Sequence, residues 1–392
     1  TNFEQTNGYG LDPYCDSARK KIKDLCECQE ADVHFLVGGT QTNTTVISAA
    51  LRPYQGAVAA VSGHINVHET GAIEATGHKV MPLPSEDGKI SAAQVDELCH
   101  AHWTDGSQEH MVQPGMVYIS FPTESGTLYS KQELTDIYAV CKAHDMPLFI
   151  DGARLGYGLQ SPACDVTLPE LANLCDVFYI GGTKCGALFG EAVVILKESL
   201  KKDFRYMIKQ RGGMFAKGRL LGIQFDTLFT DGLYEAICGE AVKKAMTLRE
   251  AFLAKGISMY GSSMTNQQFP ILTDAQKDII KNAEDASTIT AMLDALKKQD
   301  EQVQKDEKAA AEVTEYIKNL PTSLNLDNME AVRSDLQMIA DKYNALNANA
   351  QSYVRMLSKV TATNNVLNTM TAEINTFRQG KPAVTAAATA YN

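Results

Sequence analysis

An acid and a lysine each follow a short apolar run in the middle of the chain. Residues 147–150 (PLFI) precede Asp151, and residues 176–180 (DVFYI) precede the turn GGTK, which contains Lys184. Each run has the length and composition of a buried strand. Because ligands of open α/β sheets lie outside the carboxyl ends of the strands, we expect Asp151 and Lys184 to meet at one crevice.

This pair of residues suits the chemistry of pyridoxal 5′-phosphate. A lysine amine forms a Schiff base with the aldehyde of that cofactor, and an aspartate beside the ring nitrogen keeps the nitrogen protonated. The ring then draws electrons from the α carbon of an amino acid. Burial and a nearby cation would lower the pKa of Lys184 and favour the reactive neutral amine.

A turn rich in glycine and threonine lies between a predicted strand at 33–37 and a predicted helix. It contains Gly39, Thr40 and Gln41. Free backbone N–H groups and the positive end of the helix dipole suit a phosphate group. Plain helix capping is the alternative explanation of such a turn. The aspartate and the lysine downstream favour the phosphate.

Two histidines follow a predicted strand at 57–61. A histidine at such a strand end can stack flat on a pyridine ring, and His64 is the candidate. His68 could compete for that place, but we interpret it as a surface residue. Glu69 either orients a neighbouring side chain or begins a helix, where a carboxylate is stabilising.

Three further polar residues are candidates for contacts with a substrate. Arg154 follows Asp151 by three residues, and its planar, permanently charged fork suits a carboxylate or a phenolic oxygen. An ion pair with a nearby acid is the alternative. Thr123 and Glu124 lie in the segment after a predicted strand at 116–120, where a tight turn is the structural explanation.

Four segments carry a resemblance to a known family: VGGTQTN (37–43), GHINVHE (63–69), IDGARL (150–155) and YIGGTK (179–184). They resemble the pyridoxal-phosphate-dependent threonine aldolases and the related β-eliminating lyases, and the resemblance runs from the first residue to about Asp274. It implies an α/β fold, with a large domain like that of fold-type-I pyridoxal-phosphate-dependent transferases and a mixed, mostly parallel sheet. It also implies a chain truncated at both ends, without its amino-terminal arm.

The resemblance assigns roles to the central residues. It implies that Lys184 binds the cofactor, that Asp151 sets the charge of the ring and that His64 stacks on it. Arg154 serves the substrate carboxylate or the O3′ oxygen of the cofactor. In the same family Thr123 and Glu124 correspond to a P-T-E variant of a substrate-binding turn.

The resemblance also implies a shared phosphate site. Gly39 and Thr40, and less directly Gln41, hold the cofactor phosphate. A basic residue before the glycine pair at 212–213, either Lys209 or Arg211, reaches the cofactor phosphate of a partner subunit. We therefore expect a homodimer or a homotetramer.

The implied reaction is cleavage of the α–β carbon bond of a β-hydroxy amino acid, such as threonine to glycine and acetaldehyde. Many threonine aldolases have a second histidine, in a pattern like N-T-H-N, that handles the proton of the substrate hydroxyl. This chain has PTE at 122–124 instead. A β-elimination on the same fold therefore stays open, as does a non-catalytic truncated fusion whose tail is a structural module.

Composition excludes several other classes. The net charge of the 392-residue chain is −11, which argues against nucleic acid as a partner. No window has the roughly 18 unbroken apolar residues of a membrane span. The nine cysteines lack the paired spacings of a zinc site, so we predict no metal and reduced thiols in the cytoplasm.

The composition changes near Asp274. Every histidine and cysteine and all glycines except Gly380 lie before it, and the following segment repeats apolar residues at helical spacing. We predict a cofactor-binding large domain at 1–240, the start of a small domain at 241–274, and an all-α, bundle-like tail at 275–392 with a disordered carboxyl terminus. Residues 317–354 loosely resemble the helical spacer repeats of bacterial surface proteins.

Overall fold

The structure is a computed structural model that describes residues 3–254, 256–274 and 287–390. The chain divides into two compact units, Thr1–Leu272 and Thr273–Asn392. The first contains every candidate site residue, and the regular elements of the second, where it is described, are all helices.

A seven-stranded sheet forms the centre of the first unit. Its strands are β1 (Asp32–Leu36), β2 (Gln55–Ala60), β3 (Val80–Leu83), β4 (Gln113–Ser120), β5 (Leu148–Asp151), β6 (Val177–Gly181) and β7 (Glu191–Ile195). The strand order is β1-β7-β6-β5-β4-β2-β3. Strand β7 runs antiparallel to β1 and β6, and all other neighbours are parallel. The predicted mixed, mostly parallel sheet is confirmed.

Helices cover both faces of this sheet. They are α1 (Pro13–Leu25), α2 (Gly39–Ala50), α3 (His64–Val67), α4 (Ala92–Thr104), α5 (Lys131–Ala143), α6 (Leu155–Leu159), α7 (Leu168–Asn173), α8 (Glu198–Lys201), α9 (Phe204–Gln210), α10 (Arg219–Leu228) and α11 (Leu233–Ala254), with short 3₁₀ helices at Glu74–Thr76 and Gln108–His110. Because both faces are buried, the strands are apolar along nearly their whole length.

The two faces of the sheet have separate cores. Ile119, Ile150 and Ile180 point to the face covered by α1, α4, α5, α10 and α11. Phe149 and Tyr179 point to the opposite face, beneath α2 and α9. The alternation follows the two-residue period of a strand, and it places the side chain of Asp151 on the α2 side.

The helix starts differ in one way that matters for the site. Helices α4, α5 and α7 begin with capping boxes at Ser91, Ser130 and Thr167, so side chains satisfy their first N–H groups. The N-cap residue of helix α2 is Gly38, which has no side chain to cap the helix. Its first N–H groups are left for another acceptor.

Two glycines allow the ends of β5 and β6 to touch. A Cβ atom on Gly152 would lie 1.9 Å from the carbonyl oxygen of Tyr179, and one on Gly181 would lie 2.3 Å from that of Ala153. The N–H of Gly181 donates to the carbonyl of Gly152 at 2.9 Å. This close approach brings the segment after Asp151 against the segment that leads to Lys184.

The end of the first unit differs from our expectation. The sequences ISMY at 257–260 and QQFPIL at 267–272 predict two strands, and this prediction is wrong, because the structure has only an isolated bridge between Met259 and Pro270. Two backbone hydrogen bonds flank this bridge, from Tyr260 to Phe269 and from Ile271 to Ser258. Pro270 has no N–H group to extend the ladder.

The second unit contains α12 (Ser287–Asn319), α13 (Met329–Asn344), α14 (Ala348–Tyr353) and α15 (Leu357–Ala390). Its core includes Val313, Ile317, Val332 and Leu336. The predicted all-α tail is confirmed, although its first part, 275–286, lies outside the described residues. The disordered carboxyl terminus was also expected, but α15 is continuous to Ala390, consistent with the high helix propensity of alanine.

Among the described residues, no helix is both long and apolar enough to cross a lipid bilayer.

The contact at Gly152 gives the first testable expectation. Gly152→Ala would force the new methyl group into the Tyr179 carbonyl and should lower the free energy of unfolding by roughly 3 kcal/mol. Urea unfolding followed by the fluorescence of Trp103, the single tryptophan, reports on the first unit. Gly106→Ala is the matched control, because a Cβ there meets nothing within 4 Å. Equal stability of the two variants would contradict the close approach.

Candidate active site

The carboxylate of Asp151 lies at the carboxyl end of β5 and is 4% exposed. Its Oδ1 atom accepts the hydroxyl of Tyr179 and the N–H of Ala153, and its Oδ2 atom accepts the hydroxyl of Tyr118 and the amide of Asn43. Within the described part of the chain it forms no ion pair with a lysine, arginine or histidine. A buried carboxylate with four donors and no cation fits a cationic ligand atom.

The sheet register explains why two tyrosines meet Asp151. Strands β4 and β5 pair Ser120 with Asp151. Tyr118 lies two residues before Ser120, so its side chain is on the same face of the sheet as that of Asp151. Strands β5 and β6 pair Phe149 with Val177, so continuing the register sets Tyr179 beside Asp151. Burial raises the pKa of both phenols well above the ordinary value, so both remain hydrogen-bond donors. Neither tyrosine was among our sequence candidates.

A chain of hydrogen bonds connects Asp151 to His64. The amide of Asn43 donates both to Asp151 and to the Oε1 atom of Glu69, the latter at 2.7 Å. The same oxygen lies 2.8 Å from Nδ1 of His64. This bond raises the pKa of His64. Glu69 therefore orients its neighbours, one of the two roles we had considered, while the exposed His68 ring lies 5.6 Å from that of His64.

Lys184 lies in a turn that hydrogen bonds hold in place. The N–H and hydroxyl groups of Thr183 bond to Gly190, and the N–H of Cys185 donates to the carbonyl of Gly182 at 2.9 Å. The hydroxyl of Tyr157 donates to the carbonyl of Lys184. The lysine side chain remains exposed, whereas Cys185 is fully buried and fills space beneath it.

Arg154 is close enough to affect Lys184. Partial desolvation of the amine and then the charge of Arg154 lower the pKa of Lys184, so more of the amine is neutral. Within the described residues the Arg154 guanidinium has no hydrogen bond or ion pair. The ion-pair alternative for Arg154 is therefore not what this structure shows, and its donors are available to a carboxylate.

The amino end of α2 also contributes to the site. The first helical hydrogen bond runs from Thr42 to Gly38, so the N–H groups of Gly39, Thr40 and Gln41 have no partner within the helix. A Cβ on Gly39 would lie 3.1 Å from the hydroxyl of Tyr179, the same tyrosine that binds Asp151. The free N–H groups thus lie near the Asp151 network and suit an anionic group.

Three proposed phosphate ligands have other partners in this chain. The side chain of Gln41 accepts the N–H of Val37 at 3.2 Å and donates to the carbonyl of Arg211 at 3.2 Å. The guanidinium of Arg211 donates to Ser48 of α2 at 2.9 Å. The ammonium group of Lys209 lies 5.2 Å from the ring centre of Tyr9. The assignment of Gln41 to the cofactor phosphate, and of Lys209 or Arg211 to the cofactor phosphate of a partner subunit, stays a prediction.

Thr123 and Glu124 have different surroundings. Thr123 is fully buried, and its hydroxyl is 2.6 Å from that of Thr127, which favours the turn explanation for this residue. Glu124 instead accepts the backbone N–H of His64 at 3.0 Å and the hydroxyl of Ser120 at 2.7 Å. It therefore lies beside the histidine at the site.

Glu191 is a buried acid that we did not predict. It begins β7, is 3% exposed and accepts the N–H of Gly182 at 3.0 Å. Burial raises its pKa to about 7, with Lys184 acting in the opposite direction.

Among the described residues, no cluster of three or more His, Cys, Asp or Glu side chains could hold a metal ion.

Comparison with known proteins agrees with this geometry. The family model described as beta-eliminating lyase matches residues 3–341. The chain belongs to this family. The matched segment continues past Asp274, where we had expected the resemblance to end.

Individual relatives of this family member include threonine aldolases. The structure of a threonine aldolase from Leishmania major is 49% identical with a TM-score of 0.70, covering 72% of this chain and 81% of that one. A low specificity L-threonine aldolase of Pseudomonas sp. (strain NCIMB 10558) is 30% identical over 235 residues, which span 59% of this chain and 66%, about two thirds, of that relative.

A more distant structure shares the fold. Cystalysin from Treponema denticola, whose crystal structure contains a pyridoxal 5′-phosphate cofactor, has a TM-score of 0.52 at 16% identity. The overlap covers 67% of this chain and 68% of that one. The first unit of this family member therefore has the fold of fold-type-I enzymes.

The bond between Glu69 and His64 predicts a measurable titration. In Glu69→Gln the pKa of His64 should fall, because the hydrogen bond to the carboxylate is the main cause of its rise. NMR titration of the ring protons measures this change. Glu74→Gln removes a nearby exposed carboxylate and should leave the titration unchanged. If Glu69→Gln titrated like the wild type, the source of the raised pKa would be Asp151.

Glu191 predicts a pH dependence of stability. Its folded-state pKa of about 7 exceeds the ordinary value of 4.5, so the folded state binds the proton more tightly and stability falls as pH rises from about 4.5 to about 7. In Glu191→Gln this decline, roughly 3 kcal/mol, is absent.

Urea unfolding of the cofactor-free chain, followed by Trp103 fluorescence across this pH range, measures the difference. The exposed Glu109→Gln should follow the wild-type profile. Parallel profiles for wild type and Glu191→Gln would show that Glu191 titrates normally.

Proposed function

We propose that this chain is a pyridoxal-phosphate-dependent lyase that cleaves the α–β carbon bond of β-hydroxy amino acids, converting L-threonine to glycine and acetaldehyde. The observation that carries the proposal is the buried carboxylate of Asp151, which has four hydrogen-bond donors and no cation partner within the described residues. Membership of the beta-eliminating lyase family and the likeness to threonine aldolases support it.

The residues present fit the cofactor. Asp151 suits the protonated ring nitrogen, the free N–H groups of α2 suit the phosphate, and the amine of Lys184 suits the aldehyde. His64, held by Glu69, suits the face of the ring. When bound, pyridoxal 5′-phosphate supplies an aldehyde carbon for an amine and a ring that withdraws electrons from the α carbon.

Each residue then has a physical task. The lowered pKa of Lys184 keeps a fraction of its amine neutral and nucleophilic at neutral pH. The guanidinium of Arg154 is free to bind the substrate carboxylate in a bidentate manner, which fixes the orientation of the α carbon. Tyr118, Tyr179 and Asn43 hold the carboxylate of Asp151 in place.

The proposal also covers the substrate, the oligomeric state and the cellular compartment. The substrate is a small amino acid, and the active form is a homodimer or homotetramer in which Lys209 or Arg211 of one subunit approaches the phosphate site of another. All nine cysteines are free, which fits a reducing cytosolic compartment.

Borohydride trapping and product analysis test the proposal. With added pyridoxal 5′-phosphate, borohydride should attach the cofactor to Lys184, as shown by peptide mapping, and threonine should give acetaldehyde and glycine in equal amounts. Lys184→Gln should lose the label and reduce cleavage to background, because it has no amine to react. Lys202→Gln, which changes an exposed lysine, is the matched control.

Two results would contradict the proposal. Formation of a 2-oxo acid and ammonia, in place of an aldehyde and glycine, would show a β-elimination. Label spread over several surface lysines, with no product of either kind, would show a non-catalytic chain.

A further inference from the structure

Glu124 lies beside His64 and near the strand end that carries Asp151. Its Oε1 atom accepts two hydrogen bonds, from the backbone N–H of His64 at 3.0 Å and from the hydroxyl of Ser120 at 2.7 Å. Ser120 pairs with Asp151 across β4 and β5. These contacts fix the carboxylate between the histidine and the strand end that carries the ring-binding aspartate.

The second oxygen of Glu124 is available. Among the described residues, no other residue donates a hydrogen bond to Oε2, and Glu124 has no ion pair; the carboxylate also interacts with the backbone N–H of Glu124 itself. Burial of the carboxyl group raises its pKa, which makes the carboxylate a stronger base than an ordinary glutamate. A held carboxylate with one free oxygen has the features of a general base.

The neighbouring polar groups suit this task less well. The ring of His64 is held through Nδ1 by Glu69, and this bond raises its pKa, so a larger fraction of the rings than in an ordinary histidine already carries a proton and cannot accept one. The hydroxyl of Thr123 is occupied by Thr127 and the carbonyl of Asp87. Both oxygens of Asp151 have two donors each.

We propose that Glu124 accepts the proton of the substrate β-hydroxyl group during cleavage, in a turn that contains no histidine. The inference rests on the proposed function and assigns its acid–base group. The O–H bond breaks and its proton passes to Oε2, while the O–H electron pair becomes the second bond of the aldehyde carbonyl. The Cα–Cβ bond breaks, and its electron pair stays on Cα, which then takes up one proton to give glycine.

Two reactions of the cofactor-loaded protein separate this role from a structural one. Cleavage of threonine requires removal of the hydroxyl proton, whereas exchange of the α proton of glycine in D₂O, followed by NMR, does not. In Glu124→Gln, cleavage should fall by about 10²- to 10⁴-fold. Glycine exchange and the visible absorbance of the bound cofactor should stay within about threefold of wild type.

Two further variants sharpen the comparison. Glu124→Ala should regain part of its cleavage activity when formate is added, because a small carboxylate can occupy the vacated space. Glu86→Gln, which changes an exposed glutamate, should match wild type in both reactions.

Three outcomes would overturn the inference. Cleavage by Glu124→Gln within threefold of wild type would show that another group takes the proton. A parallel loss of cleavage and exchange, without rescue by formate, would show that Glu124 only positions His64. A wild-type protein that exchanges glycine but cleaves no β-hydroxy amino acid would refute the proposed function itself.

Discussion

A buried carboxylate that has no cation partner in the described part of the chain is the constraint on which the rest of the site depends. Taking a carboxylate out of water costs several kcal/mol unless hydrogen bonds and an opposite charge offset it. Asp151 has the hydrogen bonds, from Tyr118 on β4, Tyr179 on β6, Asn43 on α2 and the N–H of Ala153. The side-chain donors lie on β4, β6 and α2, so they can reach Asp151 together only in the strand order β4-β5-β6 with α2 on this face of the sheet. The hydrogen bonding of this one carboxylate therefore depends on the sheet topology.

Backbone contact brings together the two segments that carry Lys184 and Arg154. Lys184 and Arg154 lie on segments that follow β6 and β5, and partial desolvation of the amine, followed by the charge of Arg154, lowers the pKa of the lysine. Gly152 and Gly181 let those two segments approach more closely than side chains allow. The lowered pKa of Lys184 thus depends on strand packing as well as on residue type.

Local sequence pattern predicted the strand ends but not the network that joins them. Asp151 and Lys184 could be found because each breaks an apolar run. Tyr118 and Tyr179 lie within such runs and are indistinguishable from core aromatics, since their contact with Asp151 depends on the register of three strands. Glu191 begins a strand that we did not predict, and its pKa depends on burial, which no local pattern encodes.

The shared parts of the site cannot decide which reaction occurs. A ring-binding aspartate, a lysine and a helix terminus serve any reaction of pyridoxal phosphate with an amino acid, so the choice depends on what faces the β carbon. Here two adjacent residues of one turn separate: Thr123 turns into the protein toward Thr127, and Glu124 turns toward His64. Cleavage of a carbon–carbon bond needs a base for the hydroxyl, whereas elimination needs an acid for the leaving group. Within the described residues no other residue donates to the second oxygen of Glu124, and in our proposal this oxygen is the base that cleavage requires.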